Sequence, residues 1–358
     1  MTPQPHAPAD DWAEHVLTAA LGAMDTLAIH VGDRLGWYRA LADWGPLDSD
    51  ELADRTGTAE RYAREWLEHQ ATGGMVEVHD REGGRAYSLP PGATEALTDE
   101  GSLAYIAPLA RMLAASAAQM PAILEAYRTG GGVSWDQLGD DARWSQAALN
   151  RPWFESRLAT ALADAPHVHA VLARPHARIA DVACGAGWSA IALARAYPDA
   201  TVLGVDIDGP SIERARANAV EAGLADRVEF VHGDAGTLDG TFDGVFVFEA
   251  LHDMPRPVAV LAAIHDAVRP DGVVVVMDEG VAEDLVPHGD ELERLMYGFS
   301  LLVCLPDGMS SRPSVATGTV LRPSTLRAYA EQAGFTDVSV LPIEDFSFFR
   351  FYELHRAA

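Results

Sequence analysis

The sequence predicts an α/β protein in which a doubly wound sheet follows a mostly helical first part. Three observations carry this. Beyond about residue 178, short apolar runs alternate with amphipathic helix-like runs, the pattern of strands joined by crossover helices. Before about residue 145 the periodicity is helical, with one hairpin-like stretch. Between the first strand-like run and the helix-like run after it lies a glycine-rich turn, Asp181-Val182-Ala183-Cys184-Gly185-Ala186-Gly187. The expected domains are residues 1–145 and 146–358 of the 358-residue chain.

In the first part, the prolines between Met1 and Asp10 predict a loose tail. Ala13 to Leu41 reads as one or two helices. Ser49 is placed to cap a short helix reaching about Asp54. Gly57 turns the chain, and Ala59–Ala71 forms a second helix ended by Gly73-Gly74. Met75–His79 and Ala86–Leu89 alternate around Asp80-Arg81-Glu82-Gly83-Gly84 and read as a hairpin. Helix, turn, helix, hairpin is a winged-helix pattern, which serves either DNA binding or dimerisation. Asp48 to Glu100 holds 13 acids against 5 arginines, and the second helix carries Glu60, Glu65 and Glu68 beside Arg61 and Arg64. A helix entering a major groove should be more basic, so dimerisation is expected. Leu103–Tyr127 reads as a long helix kinked or broken at Pro121. Gly130-Gly131-Gly132 then breaks the chain. Trp135, Trp144 and Trp153 cluster in the joining segment, where aromatics either pack a domain interface or line a substrate pocket.

In the second part, strands are expected at Ala177–Ala183, Ala200–Asp206, Val228–His232, Phe242–Phe248 and Gly272–Asp278. Helices are expected at Trp188–Ala196, Pro210–Ala222, Pro257–Val268 and Leu326–Ala333. Thr336–Pro342 and Ser347–His355 read as two final strands. Asp284–Gly318 is an insertion before the last helix.

Composition narrows the function. The net charge is −27, and all 26 basic residues are arginine. Such acidity opposes a nucleic-acid partner. Without lysine, no Schiff-base chemistry is available. No apolar run is long enough to cross a bilayer, and the N-terminus lacks an export pattern, so a cytoplasmic protein is expected. Cys184 and Cys304 give neither a disulfide framework nor zinc spacing.

The glycine turn points to a cofactor. Gly185 and Gly187 remove Cβ atoms where the backbone turns tightly near a ligand. Three acids follow three successive strands: Asp181, Asp206 and Asp234. In an open α/β sheet, that is the edge at which ligands bind. Gly185-Ala186-Gly187-Trp188-Ser189-Ala190 also fits the dinucleotide pattern, with Asp206 as its ribose acid. Asp181 argues against that rival, because a negative charge suits an amino group and a sulfonium better than a pyrophosphate. Asp234, in Gly233-Asp234-Ala235, adds an acceptor for an adenine amino group.

With these residues, Ala177 to His355 resembles the class I S-adenosylmethionine-dependent methyltransferases. The resemblance implies a seven-stranded Rossmann-like sheet whose last strand lies in a hairpin. It implies that Asp181, Ala183, Cys184, Gly185 and Gly187 surround the methionine part of the cofactor. Asp206 is then the ribose acid, Ile207 packs on the adenine, and Gly233, Asp234 and Ala235 border its amino group. Glu249-Ala250-Leu251, after the fourth strand, should border the methyl group.

The whole chain is similar to small-molecule O-methyltransferases that carry an N-terminal winged-helix dimerisation domain. That resemblance implies a homodimer acting on a small, partly aromatic molecule. It makes His252, in Leu251-His252-Asp253-Met254, the base that deprotonates an oxygen nucleophile. Glu279, in Val276-Met277-Asp278-Glu279, is the acid expected to orient it. A second family glutamate is absent here, where Val320-Leu321-Arg322 stands. The insertion should form a substrate lid, with Trp135, Met296, Tyr297 and Arg322 as acceptor contacts. Arg322 either holds a substrate carboxylate or makes a salt bridge. No metal is expected, since His252 and Asp253 would have only His288 as a third ligand close in sequence. Two other readings are a cofactor-sensing transcriptional regulator and a cofactor-bound enzyme that transfers no methyl.

Overall fold

A computed structural model describes residues 9–357. The tail expected at Met1–Asp10 lies outside the described residues as far as residue 8, and Ala9 already opens a helix. The chain divides into two compact units, up to residue 114 and from residue 115 onward.

The first unit holds α1 (Ala9–Arg34), α2 (Trp37–Trp44), α3 (Ser49–Thr56), α4 (Glu60–Thr72), the hairpin strands β1 (Glu77–Arg81) and β2 (Gly84–Ser88), α5 (Ala93–Thr98) and the start of α6 (Ala107–Ala118). This is the expected helix, turn, helix, hairpin order. One cap differs. Asp48, not Ser49, caps α3 by accepting from the Glu51 amide while Glu51 accepts from the Asp48 amide. A carboxylate one residue earlier completes a capping box, and Ser49 is left to donate to Glu60 instead. The core packs Trp37 against Trp66, with ring centres 4.9 Å apart and planes tilted by 53°. The Trp66 indole donates to the Ala28 carbonyl at 2.9 Å. Trp12, Val16, Leu21, Met24, Leu27 and Val31 on α1 are all exposed.

The second unit begins with two helices in the reach that the sequence reads as one. α6 ends at Ala118, and α7 (Met120–Thr129) starts with Pro121 in its first turn. Proline has no amide hydrogen to donate, which is harmless in the first turn of a helix and disruptive further in. The joining segment then turns out to be helical: α8 spans Trp135–Ala163. A capping box of Ser134 and Gln137 starts it, and Gly139, at φ 81° and ψ −165°, interrupts it after one turn. α9 (Pro166–Leu172) leads into the sheet.

The sheet elements alternate as expected: β3 (Arg178–Val182), α10 (Trp188–Ala196), β4 (Thr201–Asp206), α11 (Gly209–Glu221), β5 (Val228–His232), β6 (Phe242–Phe248), α12 (Pro257–Ala267) and β7 (Val268–Glu279). The insertion carries α13 (Glu291–Phe299), a π-helical turn at Ser300–Cys304 and α14 (Leu305–Gly308). α15 (Pro323–Gln332), β8 (Asp337–Val340) and β9 (Phe349–His355) finish the chain. The strand order is β5-β4-β3-β6-β7-β9-β8. The first five strands run parallel, and β9 pairs antiparallel with both β7 and β8. The sheet is therefore mixed, with its last strand in a hairpin.

Parallel strands covered on both faces must be apolar throughout. β6 is buried at every position from Phe242 to Phe248. One face packs on α8 to α11 through residues such as Leu162, Leu172, Ile191 and Ile212. The other packs on α12 and α15 through Leu261, Ile264 and Leu326. Trp153 and Phe154 of α8 reach Phe346, with ring centres 5.7 and 6.2 Å away. Leu162 is fully buried. Leu162→Ala should destabilise the second unit by about 2–5 kcal/mol, seen as a lower urea midpoint at an unchanged slope.

Candidate functional site

All the acids singled out in the sequence stand at one edge of the sheet, outside the carboxyl ends of the parallel strands. Asp181 is the fourth residue of β3, Asp206 the last of β4, and Asp234 follows β5 by two residues. Glu249 follows β6 directly, and Glu279 ends β7. The order reverses direction on either side of β3, which makes the cleft there the switch point where open sheets bind ligands.

The glycine turn is held tightly. Ala183, Gly185 and Gly187 all take positive φ, at 58°, 52° and 80°. A Cβ on Gly187 would collide with the Phe230 ring, so both the dihedral and the packing require glycine there. Cys184 is buried, and burial pushes its thiol up. Asp206 braces the turn by accepting from the Gly185 amide at 2.7 Å and from the Asp208 amide at 2.8 Å. Its carboxylate still has free lone pairs for ligand hydroxyls. Asp181 is 1 % exposed. Its Oδ2 accepts from the Ser189 hydroxyl at 2.6 Å, while Oδ1 has no partner. Burial raises its pKa to about 7. A buried, unpartnered acceptor beside a glycine turn fits the ammonium of a methionine moiety, which would supply the missing donor. The residues present therefore fit S-adenosylmethionine. Further along the edge, Ile207 is 73 % exposed and offers an apolar surface. Asp234 accepts from the Gly236 amide at 2.8 Å and from Arg256 at 3.0 Å. Gly233 donates to the Asp206 carbonyl, and Ala235 opens a short 3-10 turn.

His252 lies at the centre of the acidic end and is 2 % exposed. Its Nδ1 is 2.9 Å from Asp278 Oδ1 and 3.1 Å from Oδ2. Glu279 Oε2 is farther from it, at 3.3 Å, and has no hydrogen-bond partner. Asp278 is thus the nearer carboxylate, where the sequence pointed to Glu279. Both end the same strand, and only the approach of the Leu251–Asp253 turn selects between them. On the other side, His252 Nε2 is 3.4 Å from Asp253 Oδ1. Burial opposes a charge on the ring, but Asp278, Glu279 and Asp253 outweigh it and raise its pKa well above the usual histidine value. Burial raises Glu279 and Asp253 as well. Glu249, pushed by burial to about 7, accepts from Asn150 at 2.6 Å. Among the described residues, two groups could gather around a cation, His252 with Asp278 and Glu279, and His252 with Asp253 and Cys304, and His288 is in neither.

Two of the residues expected on the acceptor side, Met296 and Tyr297, lie in the insertion. Met296 is buried in it, and Tyr297 is 38 % exposed. The Arg322 guanidinium is engaged by Glu293 Oε1 at 2.5 Å, the Ala282 carbonyl at 2.6 Å and the Tyr297 hydroxyl at 3.2 Å. That is the salt-bridge alternative. Leu321 is buried in the core. Trp135 donates its backbone amide to Asp307 Oδ1 at 2.6 Å. Sequence reasoning missed Asp278, Asn150, Arg143 and Asp307. Asp278 had a signal in its place at a strand end. The other three had none, because their partners lie 65 to 172 residues away.

With this geometry in view, the comparisons with known proteins define the class. Residues 179–272 match the model of a methyltransferase domain, and residues 23–99 match that of an Rv2258c-like winged HTH domain. The chain thus carries an S-adenosylmethionine-dependent methyltransferase domain behind a winged-helix domain. Among individual proteins, it is 42 % identical over 81 residues to the 27-O-demethylrifamycin SV methyltransferase of Amycolatopsis mediterranei, covering 22 % of this chain and 29 % of that protein. It thus spans under a third of that relative's length. Over its whole length it is similar to the mitomycin 7-O-methyltransferase structure, with 25 % identity, a TM-score of 0.72 and coverage of 98 % and 99 % of the two chains. The fold is also that of human N-acetylserotonin methyltransferase, solved in complex with SAM, at 19 % identity, a TM-score of 0.68 and coverage of 99 % and 100 %.

The site gives two expectations. Gly187→Ala should abolish detectable heat of S-adenosylhomocysteine binding in calorimetry, whereas Cys184→Ala should leave the heat in place. The second concerns pH. Asp181, Glu249 and Asp307 sit at about 7 in the folded chain, all raised by burial. Unfolded, they would titrate near about 4. Between those values the folded state holds more protons, so stability falls as pH rises through this window. Raised His252 acts in the same direction, losing its contribution as pH climbs through its elevated value. The ligand-free protein should therefore melt at a higher temperature at pH 5.5 than at pH 8. The carboxylates lowered by arginine contacts, such as Glu51 and Asp208, oppose this only at more acidic pH.

Proposed function

We propose that this chain transfers a methyl group from S-adenosylmethionine to a small-molecule acceptor, at an oxygen that His252 deprotonates. The buried imidazole 2.9 Å from Asp278 at the cofactor edge of the sheet carries this reading. The cofactor, when bound, supplies an electrophilic methyl on a sulfonium. The chain's own groups do the rest. The glycine turn, Asp181 and Asp206 hold the cofactor, and Ile207, Gly233, Asp234 and Ala235 flank its base. Asp278 keeps the Nδ1 proton on His252 and so presents Nε2 as the acceptor of a proton. Glu279 and Asp253 raise the basicity of the ring further, which suits an acceptor hydroxyl more weakly acidic than imidazolium. Glu249 borders the transferred methyl. Trp135, Met296, Tyr297 and Arg322 belong to the acceptor side and its lid.

In this reading residues 1–145 serve dimerisation and residues 146–358 catalysis, with the helices just before the boundary adding to the lid's support. The exposed apolar stripe on α1, from Trp12 to Val31, suits burial against a second copy. The acidic winged-helix part speaks against DNA. The reading places the protein in the cytoplasm as a homodimer.

Three measurements test it. Incubating the protein with labelled S-adenosylmethionine and a metabolite pool should give a methylated small molecule and S-adenosylhomocysteine; no product formed in a saturating pool defeats the reading. On the acceptor so found, the rate should rise with pH above neutrality, because His252 must lose its proton first. His252→Ala should lower kcat at least about a hundredfold, and Asp278→Asn should lower kcat and move the pH limb downward. An unchanged limb removes Asp278 from the proposed pair. Light scattering should give twice the 38.3 kDa chain mass, and the monomer mass for Leu21→Glu combined with Met24→Glu.

A further inference from the structure

We propose that Arg143 is a positioning residue that ties the cofactor turn to the lid, so that filling the first organises the second. The inference rests on the assignment of the turn to S-adenosylmethionine. Arg143 is an α8 residue 65 positions from Asp208 in sequence. Its Nε donates to Asp208 Oδ2 at 2.8 Å and its Nη2 to Asp208 Oδ1 at 2.8 Å. Both side chains are only 12 % exposed, so this two-pronged pair is weakly screened. Asp208 in turn donates its amide to Asp206, and Asp206 accepts from the Gly185 amide inside the turn. Asp208 also caps α11 through the Ser211 amide. Arg143 thus fixes the carboxylates that set the shape of the cofactor turn.

The same guanidinium reaches across a break in its own helix. Gly139 separates the first turn of α8 from the rest, in a conformation that only glycine adopts without strain. Arg143 Nη2 donates to Asp136 Oδ1 at 2.9 Å, before the break, and Nη1 to Asp140 Oδ1 at 3.2 Å, after it. The piece before the break is attached to the lid. Trp135 donates to Asp307, and Val133 donates to the Pro306 carbonyl at 2.9 Å. Arg312 returns a hydrogen bond to the Gly130 carbonyl. Gly132 packs so closely that a Cβ would run into the backbone of Pro306, Met309 and Ser310. The contacts form one continuous path: Gly185, Asp206, Asp208, Arg143, Asp136, Trp135, Asp307. Its middle member is the group that can hold the Gly139 hinge in one setting. A lysine could not replace it, since an ammonium lacks the planar fork that reaches three carboxylates at once.

Hydrogen exchange by mass spectrometry on the full chain tests this, with S-adenosylhomocysteine as the probe and calorimetry for its affinity. In the wild type, saturating ligand should slow exchange at residues 181–187 and also at 130–139 and 301–312. Arg143→Gln should bind about tenfold more weakly and, at saturation, slow exchange at 181–187 alone. Asp136 is 86 % exposed, so its substitution does not threaten folding. Asp136→Asn should bind with unchanged affinity yet lose most of the slowing at 301–312. Equal slowing at 301–312 in all three proteins, or none there in the wild type despite binding, overturns the linkage while the cofactor assignment stands. No binding by the wild type overturns the assignment itself, and the linkage with it.

Discussion

The parallel pairing of β3 between β4 and β6 is the constraint on which everything else depends. It places the carboxyl ends of five strands along one edge, so residues far apart in sequence converge without any long polar loop. The pairing also buries the strands on both faces, which drives their side chains to be apolar up to the last residue or two. Polar groups can then emerge only at the strand ends. Asp206, Glu249, Asp278 and Glu279 sit at those ends. The consequence is a row of acids at the margin of a dry interior, where burial raises the proton affinities of Asp206, Glu249 and Glu279. In a chain without lysine, and with Arg143, Arg256 and Arg322 held by Asp208, Asp234 and Glu293, an imidazole is the natural partner for them. His252 fills that place.

This arrangement has an energetic tension built into it. Buried acids at a strand edge destabilise the fold whenever they are ionised without a partner. The unpartnered oxygens of Asp181, Asp253 and Glu279 mark that tension. In S-adenosylmethionine, a ligand with a sulfonium and an ammonium, the class of protein has a cofactor whose charges offset it. Binding and stability are linked here by electrostatics, and the acidic composition that opposes nucleic acid favours such a cation.

α8 takes a part that its position between the two halves of the sequence conceals. Through Trp153 and Phe154 it packs the sheet, through Asn150 it meets Glu249, and through Arg143 it meets Asp208. One helix therefore touches the core, the acidic edge and the support of the glycine turn. Its hydrogen bond to the insertion, from the Trp135 amide to Asp307, comes from its first turn. That division, across Gly139, lets one end of the helix stay rigid with the sheet while the other is free to follow the insertion.

Much of this was determined by the sequence itself. Strand and helix periods set the alternation that makes a doubly wound sheet, and local chemistry set the glycine turn and the acids after successive strands. These features depend on residues close together along the chain, so they can be read in order. Neighbouring groups are where the sequence discriminates least: Asp48 and not Ser49 caps α3, and both Asp278 and Glu279 approach His252 Nδ1, at 2.9 and 3.3 Å. A difference of one position is below what periodicity resolves, and it is settled by the direction from which the partner approaches. The tryptophan-rich joining segment read as a linker because its helical pattern is interrupted by Gly139 and Pro152, and packing against the sheet stabilises it regardless. Only the tertiary structure decided that Arg322 is engaged by Glu293, that Asn150 meets Glu249, and that Arg143 joins the cofactor turn to the lid. Each is a contact between side chains separated by tens of residues, and such contacts exist only once the sheet has brought the chain together.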